Sequence, residues 1–108
     1  PHLRKSWIAF GSHVGGRIII DDGAKEALLH KGKSLLPSGV TAVEGDFSAG
    51  AVGQIVDLQG REFARGITNY SWIELNRIKG QKCKDICSIL GYKDYDEVIH
   101  RDNLSLVL

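Results

Sequence analysis

The 108-residue sequence predicts a mixed β fold with flanking helices, in which several short strands form a small barrel or sandwich. Three observations carry this expectation. From Lys33 to Thr68, Gly or Pro breaks the chain every five to ten residues and Val, Ile and Phe fill the intervals, as in short strands joined by turns. The β-branched run Arg17-Ile18-Ile19-Ile20-Asp21 follows Gly15-Gly16 and reads as a buried strand. Helix signals flank this region: an acidic N-cap at Asp21 or Asp22, and a Ser71–Glu74 capping box.

The elements follow in order. Leu3, Trp7 and Phe10 recur at helical spacing and predict a short opening helix over 3–10, ended by Gly11. After the strand at 17–21, Ala24, Ala27 and Leu28 form the apolar side of a helix that closes at Gly32, with His30 and Lys31 in its last turn. Asp57-Leu58-Gln59-Gly60 suits a type I turn joining strand 52–57 to strand 61–68. On that second strand Phe63, Arg65 and Ile67 share a face, while Ala64 and Gly66 allow close approach on the other. The capping box opens a helix that runs through Arg77 and Ile78 to Gly80, with Tyr70 and Leu75 at the staple positions. A further helix reaches Gly91, carrying Cys83, Ile86, Cys87 and Leu90 as one apolar stripe. Glu97–Asp102 is expected to close the chain as a last strand.

Composition is close to that of an average globular domain: 43% hydrophobic and 25% charged. A chain of this length buries a core without a disulfide or metal staple. No run approaches the ~18 apolar residues of a membrane span, and no signal peptide pattern opens the chain. It begins with Pro1, which reads as a piece cut from a longer protein whose other part holds the activity. Net charge is +1 but unevenly placed, at +3 over 1–40, −3 over 41–75, +3 over 76–90 and −2 over 91–108. Such alternation permits a basic face, although the pI of about 8.3 lies below the ~9 usual for nucleic-acid-binding domains. Cys83 and Cys87 read as buried free thiols, in keeping with a reducing, intracellular compartment. Zinc would need four ligands, and no second Cys or His pair stands at ligand spacing.

Several motifs suggest catalysis and then fail on spacing. His100-Arg101-Asp102 matches the start of the protein-kinase catalytic loop, but the required Asn five residues after the Asp is Val107. Asp102 is therefore expected to end the closing strand and, with Arg101, to form structural pairs at the barrel's edge. Gly32-Lys33-Ser34 matches the end of a P-loop, yet Ala27 replaces its first glycine and the triplet follows a helix instead of preceding one. Asp21-Asp22-Gly23 suits a helix cap better than a catalytic carboxylate pair. His2, His13, His30 and His100 are scattered, and none sits with a Ser or Cys in a nucleophile motif. No catalytic residue is assigned to the chain.

The succession "RKSWIA", "IIIDDGAKEALLHKGKSLLPSGVTAVEGDFSAG", "DLQGREFARGITNYS", "LGY" and "VIHRDNL" closely resembles the carboxyl-terminal PUA domain of bacterial glutamate 5-kinases, from Arg4 to about Leu106. The D-D-G-A-x-x-A-L, S-L-L-P-x-G-V and E-G-D-F stretches are shared among PUA domains, whereas H-R-D-N-L marks the glutamate 5-kinase branch. The resemblance departs at Ala51, where an Asp is usual, and at Cys83 and Cys87, where polar residues are common. It implies a PUA-like pseudo-barrel of short strands, with residues 1–10 as a junction helix after an amino-acid-kinase domain and 11–108 as the PUA domain.

It also implies a cytoplasmic, homo-oligomeric parent enzyme that uses ATP and Mg²⁺ to phosphorylate the glutamate side-chain carboxylate, the first step of proline synthesis. The catalytic residues would lie in the amino-terminal domain. This chain would then be a non-catalytic accessory to its own kinase domain, serving regulation or assembly, with no membrane contact. The alternative is an RNA-binding module. Other PUA domains use a surface matched here by Gly23, Ala24, Lys25, Lys33 and Ser34, where helix amides and lysines would meet phosphate. The competing account of Gly23 and Ala24 is tight packing between helix and barrel.

Overall fold

A computed structural model describes Ile8 and residues 13–107. Strand β1 (Val14–Ile20) leads into helix α1 (Asp22–His30), followed by β2 (Val40–Glu44), β3 (Val52–Val56) and β4 (Glu62–Ile67). Helices α2 (Trp72–Ile78) and α3 (Ile86–Leu90) come next, and β5 (Leu104–Leu106) is last. The expected opening helix over 3–10 lies outside the described residues apart from Ile8, which is buried.

The five strands form one mixed sheet in the order β2-β1-β3-β4-β5. β1 pairs antiparallel with β2 and parallel with β3, while β3–β4 and β4–β5 are antiparallel. β1 is thus an interior strand, and its isoleucines serve both sides: Ile18 lies opposite Val43 on β2 and Ile55 on β3. Ile18, Ile20 and Ile55 are fully buried, in a core shared with Leu35, Val40, Leu75, Ile78 and Ile86. Each such side chain stabilises the fold by about 1.5–3 kcal/mol relative to exposure. Among the described residues three helices accompany the sheet, at the three later places where the sequence implied one.

Local chemistry explains the junctions. The Asp57 carbonyl accepts from the Gly60 amide at 3.0 Å, and Gly60 sits at φ +86°, a conformation open to glycine. Gly66 on β4 has no side chain where Ile99 presses in; a Cβ there would lie 2.6 Å from Ile99 Cγ2. At α2 the Ser71 hydroxyl accepts from the Glu74 amide at 3.2 Å and the Glu74 carboxylate accepts from the Ser71 amide at 2.8 Å. The capping box is complete. Tyr70 beneath it is buried; its hydroxyl donates to the Tyr95 carbonyl, and its ring meets Tyr95 edge-on at 6.3 Å.

Two expectations are corrected. The closing strand is not Glu97–Asp102. Val98 and Ile99 are buried and bonded to Leu35, but only through a single bridge, and Arg101–Asn103 forms a 3₁₀ turn before β5 starts at Leu104. Asp102 therefore ends no strand, and its neighbour is His100 instead of Arg101: His100 Nδ1 accepts the Asp102 amide at 3.1 Å and lies 3.6 Å from its carboxylate. The cysteine stripe also fails in part. Cys83 is half-buried and Cys87 exposed, both as free thiols. Residues 83–85 are 3₁₀, so the tighter turn rotates the face, and Ile86 and Leu90 alone are buried on α3.

Candidate functional site

The head of α1 is where the predicted residues converge. Asp21 caps it, its carboxylate accepting from the Ala24 amide at 2.7 Å. Its own amide donates to the Gly39 carbonyl at 3.0 Å, drawing the Pro37–Gly39 turn against the helix. Contact there is close: a Cβ on Gly39 would meet Ala24 Cβ at 2.5 Å. Ala24 is therefore small because the turn packs on it. Gly23 is different. A Cβ built on it would touch nothing nearer than Asp21 Oδ1 at 3.5 Å, and its backbone is not left-handed. Packing does not explain this glycine.

Between α1 and the 33–39 segment lies a cavity of about 520 Å³. Gly23, Ala24 and Ala27 form its helical wall, and Lys33, Ser34, Leu36 and Ser38 the opposite one. Glu97, which no sequence motif singled out, completes the lining. Four of the five residues expected to face a ligand thus share one cavity. Lys25 does not line it. Its ammonium lies 2.7 Å from the Asp57 carboxylate and 5.4 Å from the centroid of the Phe63 ring, on another side of the helix. Lys25 is a tie between α1 and the β3–β4 turn.

Ser34 also has a structural duty, its hydroxyl accepting from the Arg101 amide at 2.8 Å. Lys33 follows Gly32, which ends α1 at φ +60°, and the Lys33 amide donates back to the Ala27 carbonyl at 3.2 Å. The Gly32-Lys33-Ser34 triplet is a helix terminus, with the Lys33 amide committed to the chain, not a phosphate cradle. Lys33 also borders a second cavity, of about 350 Å³, with Arg101 and Asp102 on its rim and Leu28, Leu29 and Leu104 beneath. The described residues hold no cluster of His, Cys, Asp and Glu fit to bind a metal ion. None of their helices is long and apolar enough to cross a membrane.

Residues 16–90 match the family model described as "PUA domain". The chain belongs to the PUA domain family. Solved structures agree on the fold. A PUA domain from Aeropyrum pernix K1, crystallised as a tartrate complex, superposes with a TM-score of 0.58 at 24% identity, over 80% of this chain and 41% of that one. A chain of the archaeal box H/ACA sRNP Nop10–Cbf5 complex gives 0.54 at 24%, over 84% and 26%. Among curated proteins, this PUA domain is 55% identical over 103 residues to glutamate 5-kinase of Moorella thermoacetica, covering 95% of the chain. It is 58% identical over 101 residues to that of Caldanaerobacter subterraneus subsp. tengcongensis, covering 94%. In both cases it spans 27% of the relative's length.

Proposed function

We propose that the chain is the accessory, non-catalytic PUA domain of a glutamate 5-kinase. The parent transfers the γ-phosphoryl group of ATP to the side-chain carboxylate of L-glutamate, in the cytoplasm, as the opening step of proline synthesis. The supporting observation is the 55–58% identity to such enzymes along nearly the whole chain, at about a quarter of their length. ATP and Mg²⁺ are the parent's cofactors, and the P-loop-like triplet of this chain is a helix end. Both belong to the amino-acid-kinase domain, with residues 1–10 as the junction and 11–108 as the PUA unit. The domain tunes that catalytic part or its homo-oligomeric assembly.

The test compares the intact kinase with a form lacking residues 1–108 for turnover, effector response and mass in solution. A changed effector response or assembly is expected, and identical behaviour overturns the reading. The isolated chain, given ATP, Mg²⁺ and glutamate, should transfer no phosphoryl group.

RNA binding at the α1 cavity is the second reading. Gly23 favours it, because an open glycine at a helix head lets phosphate reach the amides. Structured RNA titrated at low salt should bind, and Lys33→Glu should weaken it uniformly across sequences. Lys25→Glu is the wrong probe, because it breaks the tie to Asp57. Binding that ignores Lys33→Glu counts against this site.

A further inference from the structure

We propose that the free edge of β5 and the groove beside it receive an extended, acidic segment from the kinase part of the same enzyme, which pairs with β5 as a further strand. β5 ends the sheet and pairs with β4 alone among the described residues. The Val107 amide donates to the Phe63 carbonyl, so by strand alternation the Leu106 amide and carbonyl point away from β4. The Leu104 amide is closed by the Arg101 carbonyl, which leaves Leu106 as the open donor of this edge. An edge of this kind is a template for another strand, and β5 carries no proline, lysine or bulge to block it. The cavity of about 350 Å³ runs between this edge and the last turn of α1. Leu28, Leu29 and Leu106 give it an apolar side, Leu106 being 40% exposed. Lys33 and Arg101 stand exposed in its lining and form no ion pair among the described residues, whereas Asp102, the carboxylate there, lies 3.6 Å from His100. A strand laid in the groove thus meets apolar ground for one set of side chains and two cations for its carboxylates. The extent of the two sequence matches favours the kinase part over any other occupant. The PUA family model stops at residue 90, while the matched glutamate 5-kinases align over as many as 104 of the 108 residues. At most four residues then lie outside, so Arg101, Asp102 and Leu104 belong to the stretch shared with the kinases and beyond the family model. This chain spans 27–28% of those enzymes, which leaves the larger part of the polypeptide to supply the added strand.

The inference rests on the accessory-domain reading and deepens it by naming the surface of contact. Hydrogen exchange of the peptide carrying Leu106, followed by mass spectrometry, compares the intact kinase with this chain alone. The Leu106 amide should exchange at least tenfold more slowly in the intact enzyme. Arg101→Glu should remove most of that protection and Arg101→Lys should keep it, with neither variant changing exchange of the same peptide in the isolated chain. Circular dichroism of the isolated chain checks that both variants fold. Equal exchange in the two wild-type forms overturns the proposal, as does protection that survives Arg101→Glu. Protection that appears in the isolated chain and grows with its concentration assigns the edge to a second copy, and overturns it too. An open edge, in a kinase whose effector response or assembly still changes on loss of residues 1–108, sinks this docking and leaves the accessory reading standing.

Discussion

Asp57 shows how one carboxylate organises a turn. It is 1% exposed, and three donors converge on it: Lys25 Nζ at 2.7 Å and the Gln59 and Arg61 amides at 2.9 Å each. The Lys25 hydrogen bond, aided by the amides, outweighs burial and holds its pKa at about 2, below the ordinary 3.8. A depressed carboxylate stabilises the fold above its unfolded value, and that contribution fades as pH falls through the folded one. Asp57→Asn should therefore lower the urea midpoint at pH 7, with the gap to wild type narrowing between about pH 4 and pH 2. A gap that stays constant over that window would contradict the assignment. Glycines give a second contrast at this scale. Gly23→Ala should leave stability unchanged or raise it by up to ~1 kcal/mol, since helix propensity improves and nothing is struck. Gly16→Ala should cost ~1–3 kcal/mol, because its Cβ would come within 2.5 Å of the Glu44 carbonyl and the Phe47 ring. Denaturant unfolding of the two variants, read as midpoints, separates them.

Helix α2 is only seven residues long, too short to persist without help. Its help comes from both ends of the capping box and from Tyr92, whose hydroxyl donates to Glu74. Burial raises the Glu74 pKa, but the Tyr92 and Ser71 hydrogen bonds more than reverse this and leave it lowered. Ser71→Ala should cost ~1 kcal/mol of stability, read as a lower chemical-denaturation midpoint. No loss would mean that Glu74 alone suffices. Elements of this kind were legible in the sequence because their signals are local: the Asp21 cap, the Asp57–Gly60 turn and the Ser71–Glu74 box all act within four residues. Illegible features depend on distant partners or on phase. The Lys25–Asp57 tie spans 32 positions and removed Lys25 from the expected ligand face. Glu97 reached the α1 cavity through the Leu35–Ile99 bridge, which no periodicity announces. Cys87 faced solvent because a 3₁₀ turn shifted the helix by a fraction of a residue. His100-Arg101-Asp102 was displaced from strand to turn because Val98 and Ile99 mimic strand burial with one bridge.

Across the whole molecule, the last eleven residues do more than their length suggests. The family match ends at residue 90, yet the core continues past it: Val98 and Ile99 are fully buried and Leu104 is 6% exposed. The same stretch joins three separate parts of the chain. Leu35 and Val98–Ile99 exchange backbone hydrogen bonds at 2.8–2.9 Å, and the Asn69 amide donates to the Val98 carbonyl at 2.8 Å. The Val107 amide donates to the Phe63 carbonyl at 3.0 Å, fixing β5 to the edge of β4. At about 1.5–3 kcal/mol per side chain, those three residues alone supply stability comparable to the ~5–15 kcal/mol of a typical domain. Removing residues 98–108 also leaves the Gly66 groove empty and β4 as a bare edge. The truncated chain should lose its cooperative thermal transition and its near-ultraviolet circular dichroism. Ile99→Ala should keep both but lower the midpoint, by ~2–5 kcal/mol of stability. If the truncated chain still melts cooperatively, residues 14–97 close a core by themselves, and the H-R-D-N-L segment is an appendage. If it does not, that motif belongs to the fold, because its turn sets Leu104 against the sheet.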